Sequence, residues 1–451
     1  MEYHDKITIP DLGREAVLYS VKNAEDALLK EEYAKRETAL DFYYNQNMEA
    51  HIEQYFPGTT LSQIPVLPLR LVPRFARARM MLYKKPAERF IGGEIAEEYM
   101  DFTYHLNSQS RVFSELCWLL GNMHMKSTWN ERKQRIEYHI LPFVKEYYHI
   151  GDSEPHGYSY EIEKKENGDR QFVFWSEDRD GEQGMHFKFD LEGRMYPIGD
   201  NTEMINPYGV NPISRASFPY HSYDVVFASL HASIAFTEVM LATRYQMGSP
   251  VITGIDQAVP DLRWGVDRLI SLPEGSSMDF VAPPSNIPSM IEGIKQLLNV
   301  TGQNHALSVR WGEKGQIPSG QALKILSIEN IESRESDIPV FQEFEEMRYM
   351  VDRKIIEVHT NRVFDESYAV DFAETSFPDD WSAEKDKLLF MLENGIMTQK
   401  ELMRHFNPDL PDIEIDQKME EIEQEQPQEP EEQAPAVPTF EGLRKLGEVN
   451  Q

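Results

Sequence analysis

The stretch Ser222–Met247, SYDVVFASLHASIAFTEVMLATRYQM, decides how the rest of the chain is read. Val225, Val226, Phe227, Leu230, Ile234, Phe236, Val239, Met240 and Leu241 cover most sides of a helix. Asp224, His231, Glu238 and Tyr245 recur every seven residues and fall on one line of its surface. A surface helix of a monomeric globule shows the opposite ratio, one apolar stripe and a broad polar face. Three settings suit such a helix: a membrane span, the core of a large domain, or close packing between copies of itself around a wet channel. Its length of about 39 Å exceeds what most core helices need. Asp224, His231, Glu238 and Arg244 argue against lipid, where each charge is penalised by about 2.5–3.5 kcal/mol.

Working outward, the 451 residues are enough for two to four domains, with a formal net charge of −31. Such a surface repels free nucleic acid, because phosphate binding needs Lys and Arg to release counterions. It does not exclude a protein that surrounds DNA without adhering to it. Ten of the acidic residues lie between Asp412 and Glu432, in a Gln- and Pro-rich tail expected to be disordered. Cys117 is the single cysteine, set among Leu116, Trp118, Leu119 and Leu120, and reads as a buried thiol. The amino terminus lacks the pattern of a secretory leader, which points to the cytoplasm.

On the amino-terminal side, helical periodicity runs to about Tyr55. Another helix is expected to start near Pro73 and to carry Arg74, Arg77, Arg79, Lys84, Lys85 and Arg89. This basic run reads as a solvated or intersubunit salt-bridged face, with phosphate contact as the alternative. A helix over about 110–123 stops at Gly121-Asn122. Alternating segments then predict an antiparallel β meander over about 135–200. On the carboxy-terminal side, Val251–Phe280 reads as a small irregular unit with short strands. A return helix over about 285–302 follows, with Ser289 and Glu292 spaced as a capping box and Gly302 as its stop. A loop, Ser308–Pro318, carries Arg310 and Lys314. A long helix from Ser319 passes Pro339, where a kink is expected, and a last helical unit spans Ser382–His405. The fold class is α+β, mainly helical with an inserted meander.

Chemical motifs are sparse. The sequence holds no GxxxxGK[ST], GxGxxG before a helix, HExxH or GxSxG pattern, so no catalytic residue, metal ligand or cofactor is assigned. His231 and Glu238 read as a polar stripe rather than a metal pair. Glu345, Glu346, Asp352 and Glu357 read as a solvated helix face. His139, His149, His156 and His186 read as polar strand edges.

Four stretches in this order resemble the portal proteins of tailed double-stranded DNA bacteriophages. They are Gly121–Lys126 with Tyr138–Phe143; Asn206–Ile213 leading into the apolar helix; Ser319-Gly320-Gln321-Ala322-Leu323-Lys324; and Asn394–Thr398 with Phe406–Leu410 downstream. The segment from Pro65 to Arg89 departs from the usual pattern. The resemblance spans about residues 30–425 and implies a dodecameric homo-oligomeric ring at the capsid vertex of the virion. It maps 1–221 to the wing, 222–247 and 285–302 to stem helices, 248–284 to the clip, 303–318 to the tunnel loop, and 319–381 to the kinked helix and return. The crown would span 382–425, and 426–451 would be a disordered acidic, Pro-rich tail. It implies a conduit for packaging and ejection, without catalysis, membrane or cofactor. Partners would be lumenal double-stranded DNA, the large terminase subunit, the head–tail adaptor, and the major capsid and scaffold proteins. Asp224, His231, Glu238 and Tyr245 are then candidates for the channel lining, and Arg310 and Lys314 for contact with DNA. Another virion protein such as an adaptor, or a soluble hydrolase with Ser222–Met247 as its core helix, remain alternatives at this point.

Overall fold

The computed structural model describes residues 6–8, 27–57, 66–149, 151–164, 170–179, 181–245, 249–253, 277–281, 286–307, 328–373, 388–392 and 394–406, with positions 275, 385, 415 and 418. The fold is α+β with mostly antiparallel sheets. The chain forms two compact units, one of residues 1–317 with 322–376, the other of 318–321 with 377–451.

Helices of the larger unit are α1 (Ala27–Tyr44), α2 (Met48–Glu53), α3 (Val72–Arg79), α4 (Glu97–Phe102), α5 (Leu106–Leu120), α6 (Tyr223–Tyr245), α7 (Ile287–Asn304) and α8 (Ile328–Thr360). The core gathers around α5, which buries Phe113, Leu116, Cys117, Trp118, Leu119 and Leu120. Phe113 stacks on Phe344 of α8 with ring centroids 4.2 Å apart. Gly121 ends α5 as expected. Its φ of +86° is left-handed, and a Cβ there would meet the Tyr220 carbonyl oxygen at 3.0 Å.

The expected single meander is two sheets. Strands β4 (Asn122–Asn130) and β5 (Arg135–Leu141) join β11 (Ile213–Ser217) in the order β11-β4-β5, packed on α8. A six-stranded sheet takes β1 (Lys6–Thr8), β6 (Lys145–Tyr148), β7 (Gly157–Lys164), β8 (Arg170–Ser176), β9 (His186–Asp190) and β10 (Met195–Tyr196) in chain order, with β1 parallel to β6. Strands β2 (Glu88–Ile91) and β3 (Glu94–Ile95) pair with β14 (Tyr368–Asp371). The division arises because β4, flanked by β11 and β5, is buried along most of its length against α5 and α8, while β8 and β9 form an aromatic face of their own with Phe172, Phe174, Phe187 and Phe189.

Two local expectations change, the limits of the return helix and the setting of the basic run. The return helix α7 passes Gly302 and ends at Asn304; its N-cap is Asn286, so Ser289 lies inside the helix rather than capping it. Helix α8 runs without interruption through Pro339; the expected helical residues 319–327 lie outside the described ones. The basic run splits: Arg74 and Arg77 are exposed on α3, Lys84 and Lys85 in a turn, while Arg79 and Arg89 are buried.

Those two arginines, with Arg348, account for the buried carboxylates of α8, among them Glu345 and Asp352, which were expected to face solvent. Arg79 Nη1 donates to Asp337 Oδ2 at 2.6 Å. Arg89 donates to both oxygens of Glu345, at 3.0 and 2.9 Å, and Arg348 also donates to Glu345. The hydroxyls of Tyr83 and Tyr368 each donate to Glu345 at 2.8 Å. Four donors converge on Asp352: Tyr99 at 2.8 Å, Ser127 at 2.6 Å, Tyr138 at 2.7 Å and Arg348 at 2.7 Å. Burial opposes the charge on Glu345, but Arg348 and Arg89 outweigh it and hold the carboxyl far below the usual range. Glu346, in contrast, is exposed.

In the smaller unit, α9 (Gln399–Phe406) starts with a reciprocal cap: the Thr398 amide donates to Glu401 Oε2 at 2.8 Å, and the Glu401 amide to Thr398 Oγ1 at 3.2 Å. Gly395, at φ +67°, turns the chain just before it. The residues of the acidic tail from 419 onward lie outside the described ones.

Candidate functional site

Helix α6 is the long apolar element, and its high helix-wide hydropathy resolves into three faces. Val225, Val226, Ala228, Leu230, Ala232 and Val239 are buried against α1, α2, α3 and α7 of the same chain. This corrects the expectation that neighbouring copies shield the whole helix: most apolar residues of its first half, Phe227 apart, are covered from within the subunit. Burial weakens along the second half, where Ile234, Ala235, Phe236, Leu241 and Ala242 are half-buried and Met240 is exposed.

The second face is polar and buried, and the seven-residue spacing does not reveal it. Ser229, Ser233 and Thr237 are fully covered at four-residue steps. The chain from Val66 to Leu71 runs beside them outside any helix or strand, so its backbone polar groups need partners. The Leu69 amide donates to Ser233 Oγ at 2.9 Å, and Ser229 Oγ donates to the Leu69 carbonyl at 2.9 Å. Pro68 in this segment prevents an ordinary helix, so hydroxyls of α6 stand in for strand partners. The signal was in the sequence, as Ser-x₃-Ser-x₃-Thr opposite a Pro-punctuated stretch.

The third face is open. Asp224, His231 and Glu238 are exposed along one side, and Phe227, 50% exposed, lies in the same line. Tyr55 from the end of α2 stands edge-on to His231, with centroids 6.4 Å apart. Tyr245 ends α6, but its side chain lies outside the described ones, as do Arg310 and Lys314 with the rest of 308–327. Phe227 is the member of this face that polarity alone passes over.

Helix α7 returns antiparallel. The start of α6 meets the end of α7 where Asp224 faces His305 Nε2, and the His305 ring stands edge-on to the buried Trp118 at 5.0 Å. Burial works against ionisation of Asp224, and the hydrogen bonds and charge of His305 overcome it, so its carboxyl is held below the usual value. Beyond the far ends of the two helices, β12 (Ser249–Thr253) pairs antiparallel with β13 (Ser277–Val281), from Ser249↔Val281 to Thr253↔Ser277. The result is a helical hairpin rooted in the core and tipped by a β ribbon. Ile294 and Leu298 bury the rooted half of α7, whereas Ile287, Met290 and Ile291 near the ribbon are half-buried.

By length and composition, Tyr223–Thr243 is apolar enough to cross a membrane, yet half of its most apolar window is buried within the fold. Among the described residues no group of three or more His, Cys, Asp or Glu is arranged to hold a metal ion. No family model matches the chain, and no curated protein matches it.

Proposed function

We propose that this chain is the subunit of a ring-shaped DNA conduit, a portal protein of a tailed bacteriophage, with α6 and α7 as its stem and the β12–β13 ribbon as its clip. One observation carries the reading: a long helix whose polar residues Ser229, Ser233 and Thr237 are buried keeps an exposed polar line, Asp224–His231–Glu238, within a hairpin rooted at one end and tipped by a ribbon at the other. The half-buried apolar residues toward the ribbon, Phe236, Leu241, Met290 and Ile291, would be covered by the same hairpin of adjacent copies around a closed ring. The polar line would then face the bore. Carboxylates there repel phosphate, and a chain of net charge −31 lets DNA slide without adhering. The ring would be a dodecamer in the virion's capsid vertex. It would bind the large terminase subunit during packaging and the head–tail adaptor afterwards, contact capsid and scaffold proteins, and have no catalytic activity.

Negative-stain imaging and native mass spectrometry of the full chain test this. Closed rings with an axial channel are expected. A persistent monomer at high concentration would end the reading.

A further inference from the structure

His156 lies in the turn between β6 and β7 with a carboxylate at each ring nitrogen. Nε2 is 2.8 Å from Asp152 Oδ2, and Nδ1 is in hydrogen-bond contact with Glu177 Oε1. A neutral imidazole has one N–H and one lone pair. It can donate to only one of these carboxylates, and its other nitrogen would oppose a lone pair to a lone pair. Both contacts are satisfied when the cluster holds one more proton, on the second ring nitrogen or on Glu177. Burial favours the latter site, raising the Glu177 carboxyl against the lowering influence of His156. Other charged or titratable groups facing the cluster are Arg179, whose Nη1 donates to Asp152 Oδ2 at 2.6 Å, Glu154, the buried Tyr158 of β7, and His149, with its ring centroid 5.3 Å from that of His156.

The backbone shows what this cluster fastens. The His156 carbonyl accepts from the Glu177 amide at 3.2 Å and from Asn211 Nδ2 at 3.0 Å. The Asp178 amide donates to the Gly209 carbonyl at 2.9 Å. Gly209 permits this approach, since its φ is +70° and a Cβ there would lie 2.9 Å from Asp178 Oδ2. Three segments therefore meet at one corner: the β6–β7 turn, the end of β8, and residues 206–212 that lead through β11 to α6.

We propose that Asp152, His156 and Glu177 form a proton-held clamp on this corner, closed while the cluster keeps its extra proton and loosened as rising pH removes it. Without that proton, two carboxylates flank a neutral ring and one contact turns repulsive. The proposal is independent of the conduit reading.

Hydrogen exchange read by mass spectrometry on the full chain tests it, over about pH 5 to 9, where imidazole charge changes. Rates are corrected for intrinsic pH dependence. Protection of the segments 176–179 and 206–212 is expected to fall by about ten-fold or more across the range, as local opening becomes easier. In His156→Gln the neutral amide offers one donor and one acceptor at every pH, so the profile should be flat. In Asp152→Asn, with one carboxylate fewer to hold the proton, loosening should occur at lower pH. Protection independent of pH in the natural chain overturns the clamp, as does a wild-type profile in either variant. Should His156→Gln fail to fold, Asp152→Asn alone decides.

Discussion

Asp224, in the first turn of α6, presents both carboxylate oxygens to His305 Nε2, at 2.9 and 3.0 Å, one residue beyond the end of α7. The two residues are 81 positions apart, and between them runs the whole hairpin with its ribbon. The contact closes the root of that hairpin against Trp118.

Because Asp224 is 46% exposed, replacing it with Asn should lower stability by less than about 1 kcal/mol in urea unfolding. Its carboxyl is held below the usual value, so this contribution is complete above the ordinary carboxylate range. It is lost as pH falls through the depressed value. A loss of several kcal/mol would show that the hairpin root is structural rather than a surface tie.

Arg348 joins Glu345 to Asp352, and all three side chains are sealed from solvent. Arg348→Met leaves two carboxylates without their shared cation and should destabilise the larger unit by about 3–5 kcal/mol. Chemical denaturation of the variant checks the figure. Stability close to the natural chain would mean that the carboxylates are protonated in the fold.

Acid sensitivity should have a second source in Glu146. Burial disfavours its charge, but His124 Nε2 at 2.7 Å, Arg215 and Tyr148 together bring its pKa down to about 2. A depressed carboxyl stabilises the fold above its unfolded value and loses that effect as pH falls toward 2, on the order of 3 kcal/mol in all. Glu146→Gln should flatten that part of the stability profile. An unchanged acid slope would assign it to other groups.

The buried hydroxyl ladder is testable separately. Ser233→Ala removes the acceptor of the Leu69 amide and should cost about 1 kcal/mol. Faster amide exchange at Leu69 should accompany the loss, and unchanged exchange there would mean that another group takes its place.

For the conduit, Glu238→Leu on the open face should leave rings intact and alter DNA passage in a packaging assay. Phe236→Asp, on the half-buried side, should prevent ring closure or folding. The reverse pair of outcomes, seen by imaging, would mean that the two faces are wrongly assigned.

Much of α6 was legible in the sequence. Helical periodicity is a local property, so a seven-residue recurrence places Asp224, His231 and Glu238 on one side whatever surrounds them. The stop at Gly121 is equally local, since a left-handed φ favours glycine. Boundaries that rest on capping were less legible: Ser289 and Glu292 have capping spacing, but Pro288 in the first turn lets the helix begin at Ile287.

What the chain's order of residues determined alone is therefore the helix, its polar line and the alternation of its strands, each set by neighbours a few positions away. Tertiary structure decided which carboxylates meet water. Glu345 and Glu346 are adjacent and chemically alike, yet one is sealed and the other exposed, because Arg89, 256 residues earlier, is folded onto the first. The same holds for the apolar side of α6, covered by α1, α2 and α3 from far upstream. Burial of a charge depends on a partner's arrival in space, and no local pattern records which distant residue that will be.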